Sequence, residues 1–337
     1  MDTALESLLK SDELSVQYKV RVGVLGEAST SPEIKALQRT IKSSPRVEQL
    51  FVNRRRDGRI EPVGHVYKKW TGAHWILATL ADIGYPSGEA SLRPVVDQVL
   101  HCWLHPEAIR ECVCEGAPPA HRRSGVPIVN GRARRCASQQ GNALYSAVVL
   151  GFVDDRVHQL AECLTRWQWP DGGWNCDPRP EAVHSSFWES LIPLRGLAHY
   201  ARFTGDTRAH EAATRAAEVF LRKHLYHRQK GGGIMNPQFV RLHYPCYWKY
   251  DILFSLKVMA EAGFISDPRC QDALDLLESK RLPDGGWCAE ERFYSTAKNA
   301  KSGVELVTWG QVSQKRMNEW VTADALAVLK AAGRLAS

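Results

Sequence analysis

The chain has 337 residues, 44% of them hydrophobic and 24% charged, an ordinary globular balance that can bury a core. No apolar run approaches the roughly 18 to 20 residues that a membrane span needs. The opening stretch "MDTALESLLKSDELS" is acidic and lacks the apolar centre of a signal peptide. Nine cysteines are an odd number without the spacing of a disulfide framework. The composition therefore predicts a cytoplasmic protein with free thiols or a bound metal, and without a membrane span.

The formal net charge of +7 is unevenly distributed along the chain. One cluster comprises Arg54, Arg55, Arg56 and Arg59, and a second comprises Arg122, Arg123, Arg132, Arg134 and Arg135. These arginines either lie on solvated loops or form a basic rim that attracts an anionic substrate or nucleic acid. The sequence leaves both interpretations open.

Helical patterns follow one another along the chain. Residues 1–50 predict two or three helices that form an N-terminal extension. Five later segments are apolar on more than one face, as expected of helices buried on both sides: 70–84, 136–152, 185–205, 247–263 and 320–333. Four amphipathic segments alternate with them and predict an outer layer with one solvated face: 92–104, 156–168, 208–225 and 269–282.

Short turns join the two kinds of helix. Asp154 and Asp267 lie in these turns, where they are expected to be N-caps rather than catalytic groups. Strand-like alternation is almost absent. The pattern predicts one all-α domain over residues 1–337, in which five or six helical hairpins close into an α/α toroid around a central cavity.

A glycine-rich loop occurs twice, as "QWPDGGWNCD" at 168–177 and "LPDGGWCAEE" at 282–291. Gln168 ends an outer helix, where its side chain can satisfy free backbone groups. The paired glycines allow the positive φ of a tight return, and Trp174 is expected to pack over the loop and join adjacent hairpins. The pattern therefore predicts a structural role for the aspartate of each loop.

The first of these loops resembles the QW repeats of the superfamily that contains squalene–hopene cyclase, oxidosqualene cyclase and the protein prenyltransferase β-subunit. The order of "YKKWTGAHW", "RCASQQGN", "WKYDIL" and "KRLPDGGW" also resembles a group of bacterial prenyltransferase or squalene-cyclase-like repeat proteins. The resemblance implies an α/α toroid. Neither "FVDDR" nor "NCDPRP" supplies the Asp-x-Asp-Asp acid of the cyclases, and no full Asp, Cys and His zinc set aligns with the prenyltransferases.

The cavity of such a toroid is expected to open where the inner helices begin, and the residues there are unusually polar and aromatic. Glu189 and Asp251 are the candidate acid and base, with His74 and His184 as their partners, because an apolar pocket raises the pKa of a carboxyl group. The candidate substrate-binding residues are Trp70, Thr71, Gln140, Asn142, Ser185, Trp188, Trp248, Lys249, Tyr250 and Trp320. Thr71, Asn142 and Ser185 are equally suited to cap helices.

A zinc site is a second possibility on the same side of the helices. The candidate ligands are Cys136, Cys176 and Cys288, since zinc favours thiolates in a tetrahedral set. None of the three lies within a Cys-x-x-Cys or His-x-x-x-His motif.

Three classes of function remain open at this point. The first is an enzyme that carries out acid–base chemistry (cyclisation, isomerisation, elimination or prenyl-type) on a small or medium organic substrate. The second is a protein whose basic rim binds nucleic acid or another polyanion and which takes up a flipped base. The third is a non-catalytic scaffold, which a cavity filled by its own side chains would favour. The oligomeric state is left open.

Overall fold

A computed structural model describes residues 3–116, 125–229, 231–297 and 299–335. Within these ranges the chain forms fourteen α-helices and one three-stranded sheet, so the predicted helical class is confirmed. No helix in these ranges combines the length and the apolar character that crossing a membrane requires.

The nine helices predicted after residue 50 are all present. The buried ones are α5 (Ala73–Asp82), α8 (Ala137–Val149), α10 (Phe187–Thr204), α12 (Ile252–Glu261) and α14 (Glu319–Ala331). Those with one exposed face are α6 (Arg93–Trp103), α9 (Asp155–Arg166), α11 (Thr207–Leu221) and α13 (Gln271–Ser279). A short helix, α7 (Pro106–Ile109), follows α6.

Both predicted N-caps are confirmed. The Asp154 carboxylate accepts a hydrogen bond from the Arg156 amide at 3.1 Å where α9 begins. Asp267 accepts one from the Arg269 amide at 2.9 Å, at the 3-10 turn that precedes α13. Each aspartate satisfies a backbone donor that the first helical turn leaves free.

The first fifty residues contain four helices, where two or three were predicted. They form α1 (Thr3–Leu9), α2 (Leu14–Gly23), α3 (Pro32–Lys42) and α4 (Pro45–Leu50). Helix α2 packs against α14, and α1 contacts both. The Lys19 ammonium on α2 also pairs with the Asp82 carboxylate on α5 at 2.8 Å. The start of the chain is therefore tied to both the first and the last of the buried helices.

A small sheet that the sequence did not predict lies between α7 and α8. It consists of β1 (Glu111–Cys114), β2 (Val126–Val129) and β3 (Arg132–Ala133). Strand β1 pairs in parallel with β2, and β2 pairs antiparallel with β3. The strands are too short to show the sustained alternation of apolar and polar residues on which strand prediction depends.

The two glycine-rich loops make matching contacts. The indole nitrogens of Trp174 and Trp287 donate to a carbonyl near the end of the preceding helix at 3.0 and 2.7 Å, respectively. A hydroxyl group from the next buried helix satisfies each tryptophan backbone: Ser190 accepts from the Trp174 amide, and Thr322 accepts from the Trp287 amide, both at 2.9 Å. Each loop therefore connects one exposed-face helix to one buried helix.

Gln168 joins neighbouring helices, in agreement with the role predicted for it. Its side-chain nitrogen donates to the carbonyls of Gly172 and of Ala212 on α11, both at 2.7 Å. Gly172 has a φ of 106°, and a Cβ there would lie 2.2 Å from the Arg215 carbonyl oxygen, so only glycine fits. In the second loop Arg281 takes the place of Gln168 and donates to the corresponding glycine carbonyl at 2.9 Å.

The buried helices contact one another in chain order. Helix α5 packs on α8, α8 on α10, α10 on α12, α12 on α14, and α14 on α2. Helices α8 and α10 approach closely at Gly141 and Gly196. A Cβ at Gly141 would lie 2.6 Å from the Pro193 nitrogen, and one at Gly196 would lie 2.6 Å from the Gly141 oxygen. Side chains at the starts of these two helices are therefore brought together.

Charged side chains fill the space between these helices. We call the following set the charged centre: Lys19, Asp82, Arg195, Lys257, Glu261 and Asp324. Lys257 Nζ lies 2.6 Å from an Asp82 oxygen and 3.1 Å from an Asp324 oxygen. Arg195 Nε lies 2.5 Å from a Glu261 oxygen.

The cavity at the charged centre is small. Tyr244 reaches in from the segment before α12, and its hydroxyl donates to Asp82 at 2.7 Å. The enclosed volume that remains is about 50 Å³, room for a few water molecules at most. Paired charges and Tyr244 occupy most of the space between these helices.

Candidate functional site

Two thiols and a carboxylate meet where α8 and α10 begin. Cys136 Sγ, Cys176 Sγ and one Glu189 carboxylate oxygen all lie within 4.8 Å of one another, and each side chain is half-buried. The Cys176 thiol donates to Glu189 Oε1 at 3.6 Å. The Ser138 amide and hydroxyl donate to Glu189 Oε2 at 3.1 and 2.9 Å. We call Cys136, Cys176 and Glu189 the thiol–carboxylate cluster.

Three local features assemble the cluster. Cys136 is the residue immediately before α8, and Glu189 lies in the first turn of α10. The close approach of these helices places the Ser138 amide beside Glu189. A bridge between Arg134 and Asn175 holds the loop that carries Cys176 next to the start of α8.

The surroundings of the cluster favour protonated groups. Burial raises the pKa of Glu189, and the hydrogen bonds from Ser138 offset only part of this effect. The hydrogen bond with Cys136, followed by burial, raises the pKa of the Cys176 thiol. A carboxyl group with a raised pKa can deliver a proton closer to neutral pH than an ordinary one, so Glu189 is suited to act as a general acid.

Arg135 and Tyr67 adjoin the cluster, and sequence reasoning did not place either of them there. The Gln140 amide, oriented with its oxygen toward Arg135, accepts from Nε at 2.9 Å and from Nη2 at 2.6 Å. Arg135 has no carboxylate partner within the described ranges, and burial lowers its pKa. Burial raises the pKa of Tyr67, and the nearby side chains of Glu189 and Cys136 add to the effect. The available signals were the positions of Tyr67 in "YKKWTGAHW" and of Arg135 in "RCASQQGN".

Two clefts lie beside the cluster. The first cleft has a volume of about 1090 Å³ and is lined by residues 57–64, by α6 and α7, and by Arg135 and Gln139. The second cleft has a volume of about 750 Å³, and its lining includes His65, Tyr67, Lys68, Lys69, Thr71 and Lys301. Both volumes suit a small organic molecule. Arg135 lines the first cleft and Tyr67 the second, so each cleft contains one residue that adjoins the cluster.

The structure places the two predicted histidine partners apart from Glu189. His74 is buried, and its Nδ1 accepts from the Trp103 indole at 3.2 Å. Burial lowers the pKa of His74 to about 3, so the ring stays neutral at physiological pH. His184 is exposed and lies with Asp171 at a separate cleft.

Asp251, the second predicted carboxylate, lies at the start of α12 rather than in the cluster. It is fully buried and accepts hydrogen bonds from the Phe254 amide at 2.7 Å and the His243 amide at 2.9 Å. His243 Nδ1 lies 2.8 Å from the same carboxylate, and the Cys246 thiol completes a second group of three ligand atoms within 4.8 Å. Both oxygens of Asp251 are thus engaged in holding the helix start.

Three tryptophans that were predicted to bind substrate contact the segment that precedes α12. Trp70 stacks on Tyr247 with ring centroids 3.9 Å apart, and Trp320 stacks on Tyr244 at 5.0 Å. Trp188 meets Trp248 edge-on at 6.3 Å. The tryptophans therefore pack against the chain's own aromatic residues.

The polar residues that were predicted to bind substrate lie in different parts of the structure. Thr71 lines the second cleft, whereas Asn142 lines the small cavity at the charged centre. The Ser185 hydroxyl and amide donate to Asp171 at 2.5 and 2.7 Å. Lys249 Nζ lies 4.5 Å from the centre of the Trp248 ring, and the Tyr250 hydroxyl donates to a backbone carbonyl at 2.5 Å.

Two of the four arginines in the first basic-rim group form ion pairs. Arg55 pairs with Glu61 at 2.6 Å, and Arg59 pairs with Asp57 at 2.7 Å. The Arg54 side chain donates to two backbone carbonyls. The charges of Arg55 and Arg59 are therefore paired, whereas Arg54 and Arg56 form no ion pair with a carboxylate in the described ranges.

The second group of arginines is divided. Arg134 is buried, with its guanidinium 4.5 Å from the centre of the Trp169 ring, and Arg135 lines the first cleft. Arg122 and Arg123 lie outside the described residues.

Two of the three predicted metal ligands belong to the cluster. Cys288 does not, since it is buried in the second glycine-rich loop. Glu189 supplies the third ligand atom instead, which sequence reasoning had assigned to acid–base chemistry alone.

Comparison with known proteins adds no assignment. A scan against protein-family models finds no match to the chain, and a search of curated proteins finds none either. The functional conclusion therefore depends on the geometry of the cluster and its clefts.

Proposed function

We propose that the chain is an enzyme that carries out acid–base chemistry on a small or medium anionic organic substrate, with Glu189 as the acid and base. The observation that carries the proposal is the thiol–carboxylate cluster, in which a half-buried carboxyl group with a raised pKa adjoins Arg135 of one cleft and Tyr67 of the other. Cyclisation, isomerisation, elimination and prenyl-type chemistry all involve proton transfer, which such a group can perform.

The hydrogen bonds to Glu189 suit both of its protonation states. The protonated carboxyl group donates its proton to a substrate atom. Ser138 then stabilises the carboxylate that forms, because its amide and hydroxyl already donate to Oε2. The carboxylate accepts a proton from a second substrate atom, which returns Glu189 to its starting state.

We also infer that α2, α5, α8, α10, α12 and α14 form the inner ring of an α/α toroid. Their packing in chain order supports this arrangement, and the Lys19–Asp82 ion pair connects the two ends of the series. Such a ring has six inner helices, and its chemistry takes place at the rim, since the charged centre has no room for a substrate.

A cytoplasmic location is part of the proposal. All nine cysteines lie in the described residues, and none of them forms a disulfide bond with another. Free thiols persist in a reducing compartment, which supports the assignment.

Solvent deuterium exchange tests the acid–base proposal without a known product. The purified protein is incubated in deuterated buffer with a collection of phosphorylated and carboxylated small molecules. Mass spectrometry then shows which of them gain deuterium at carbon. We expect incorporation with the wild-type protein and a loss of about 10²- to 10⁴-fold in Glu189→Gln, the usual contribution of a general acid or base.

Glu162→Gln is the matched control, because Glu162 is an exposed glutamate on α9. Equal incorporation by Glu189→Gln and the wild-type protein would exclude Glu189 as the acid. If the wild-type protein exchanges none of the compounds, the second candidate function gains support. That candidate is a non-catalytic scaffold, and the filled charged centre is the observation that favours it.

Zinc chemistry is the alternative mechanism at the same cluster. Two thiolates, one carboxylate and an open fourth position form a ligand set that zinc accepts at catalytic sites. When bound there, zinc would supply an activated water molecule. Glu189 would then be a ligand, with Ser138 orienting its second oxygen.

Elemental analysis decides between the two mechanisms. The zinc mechanism predicts near-stoichiometric zinc in freshly purified protein, lost in Cys176→Ala and retained in Cys288→Ala. Zinc-free wild-type protein would leave Glu189 as the acid. Equal loss of zinc in both variants would place the metal elsewhere in the chain.

A further inference from the structure

The second cleft carries positive charge that its described lining residues do not neutralise. Lys68, Lys69 and Lys301 line it together with His65, and none of the described lining residues is acidic. Within the described ranges, none of the three lysines forms an ion pair with a carboxylate. Glu305, which lies between two lining residues, is buried and does not face the cleft lining.

A fourth lysine increases the local positive charge. The ammonium groups of Lys69 and Lys249 lie 4.9 and 4.5 Å from the centre of the same Trp248 ring. Burial lowers the pKa of Lys249, and the charge of Lys69 adds to this effect. Glu291 offsets part of the lowering at Lys249, and an anion beside Lys69 would further reduce the repulsion between the two ammonium groups.

Thr71 provides an independent observation. It is 5% exposed and lines the second cleft, yet its hydroxyl oxygen is buried without a hydrogen-bond partner in the described part of the chain. A buried hydroxyl group without a partner is unfavourable, so such groups normally have one. An oxyanion in the cleft would accept this hydrogen bond.

We propose that the second cleft binds a phosphate or comparable oxyanion group of the substrate, held by Lys68, Lys69, Lys301 and the Thr71 hydroxyl. The inference rests on the proposed function, because Tyr67 lines the same cleft and adjoins Glu189. A substrate anchored by its oxyanion in this cleft has its remaining atoms directed toward the cluster. The substrate class is therefore a phosphorylated small molecule.

Calorimetric titration of the full-length protein with inorganic phosphate and pyrophosphate tests the site. We expect saturable binding of both, weakened about tenfold in Thr71→Val, because a hydrogen bond to a charged group is lost. Thr71→Ser keeps the hydroxyl and retains binding. A variant with both Lys69→Gln and Lys301→Gln should lose at least tenfold. Thr40→Val and Lys330→Gln, at exposed positions on α3 and α14, serve as controls and keep the wild-type affinity.

The outcomes separate this inference from the proposed function. Glu189→Gln should bind phosphate like the wild-type protein while losing deuterium exchange. If the wild-type protein shows deuterium exchange but does not bind phosphate, the oxyanion site is overturned and the acid–base proposal stands. The same conclusion follows if both the Thr71→Val variant and the lysine variant bind phosphate as the wild-type protein does. Binding of a single-stranded oligonucleotide but not of phosphate overturns the site in favour of nucleic-acid binding.

Discussion

The charged centre and the thiol–carboxylate cluster both contain buried ionisable groups, but their charges are compensated differently. In the charged centre burial opposes ionisation, yet Lys19 and Lys257 hold the pKa of Asp82 well below its usual range. Arg195 and His199 lower the pKa of Glu261 against the same opposing effect. In the cluster the hydrogen bonds from Ser138 do not outweigh the effect of burial, so the pKa of Glu189 is raised.

The difference shows which buried charges are structural. A carboxylate paired with cations stays ionised over a wide pH range and connects the helices that carry its partners. A carboxyl group with a raised pKa changes its protonation state more readily, which is what acid–base chemistry requires. By this criterion the charged centre stabilises the fold, and the cluster is the place for chemistry.

Lys257→Met should have the largest effect on stability. Lys257 lies between Asp82 and Asp324 at 2.6 and 3.1 Å, and its removal leaves two buried carboxylates short of positive charge. We expect the free energy of unfolding to fall by about 3 to 5 kcal/mol, measured by urea denaturation. Lys330→Met, at an exposed position of α14, is the control. A loss no larger than that of the control would contradict the structural role of the charged centre.

Replacing Glu305 should have an intermediate effect on stability, and this effect should depend on pH. Burial raises its pKa to about 7, whereas an unfolded chain has a glutamate pKa of about 4.3. The folded state therefore holds this proton more tightly than the unfolded state does. The resulting stabilisation of the folded state is complete below the pKa that Glu305 has in the unfolded chain, and it is lost as pH rises toward 7.

Glu305→Gln removes this titration. The stability of the variant relative to wild type should increase by about 2 to 3 kcal/mol between pH 5 and pH 8. Urea denaturation at the two pH values measures it, with Glu48→Gln on the exposed face of α4 as the control. A pH-independent difference between Glu305→Gln and wild type would show that Glu305 does not titrate in this range.

Glu189→Gln should have the smallest effect on stability, although it abolishes deuterium exchange. The glutamine carbonyl can still accept from Ser138, and no ion pair within the described ranges is lost. We expect a change below about 1 kcal/mol in thermal or urea denaturation. A loss as large as that of Lys257→Met would assign Glu189 to the structural group.

Most of the helices could be predicted from the sequence, and α2 shows the limit. The buried helices are apolar on several faces, and the exposed-face helices have clear periodicity, so both were recognisable. In α2 the buried residues Val16 and Val20 are interrupted by Lys19, which is itself buried because Asp82 and Asp324 surround it. A lysine in a helical pattern predicts a solvated face, so the sequence could not indicate this position.

The candidate site was predictable in its members but not in its assembly. Cys136, Cys176 and Glu189 were each selected as polar residues near helix starts, yet Cys288 and His184 met the same criterion. Spacing along the chain carries no information on which of them meet. The close approach of α8 to α10 at Gly141 determines that Cys136 and Glu189 lie near each other.

By itself the sequence determined the nine alternating helices after residue 50, their order, the caps at Asp154 and Asp267 and the two matching loops. These depend on residues within a turn or two of one another, so periodicity and capping side chains are sufficient to specify them. Only the tertiary structure decided that the centre is filled and that Glu189 lies among thiols. It also decided that Lys19 and Asp324, near opposite ends of the chain, lie 2.9 Å apart. The physical reason is that electrostatic interactions depend on distance in space, and packing sets that distance between residues far apart in sequence.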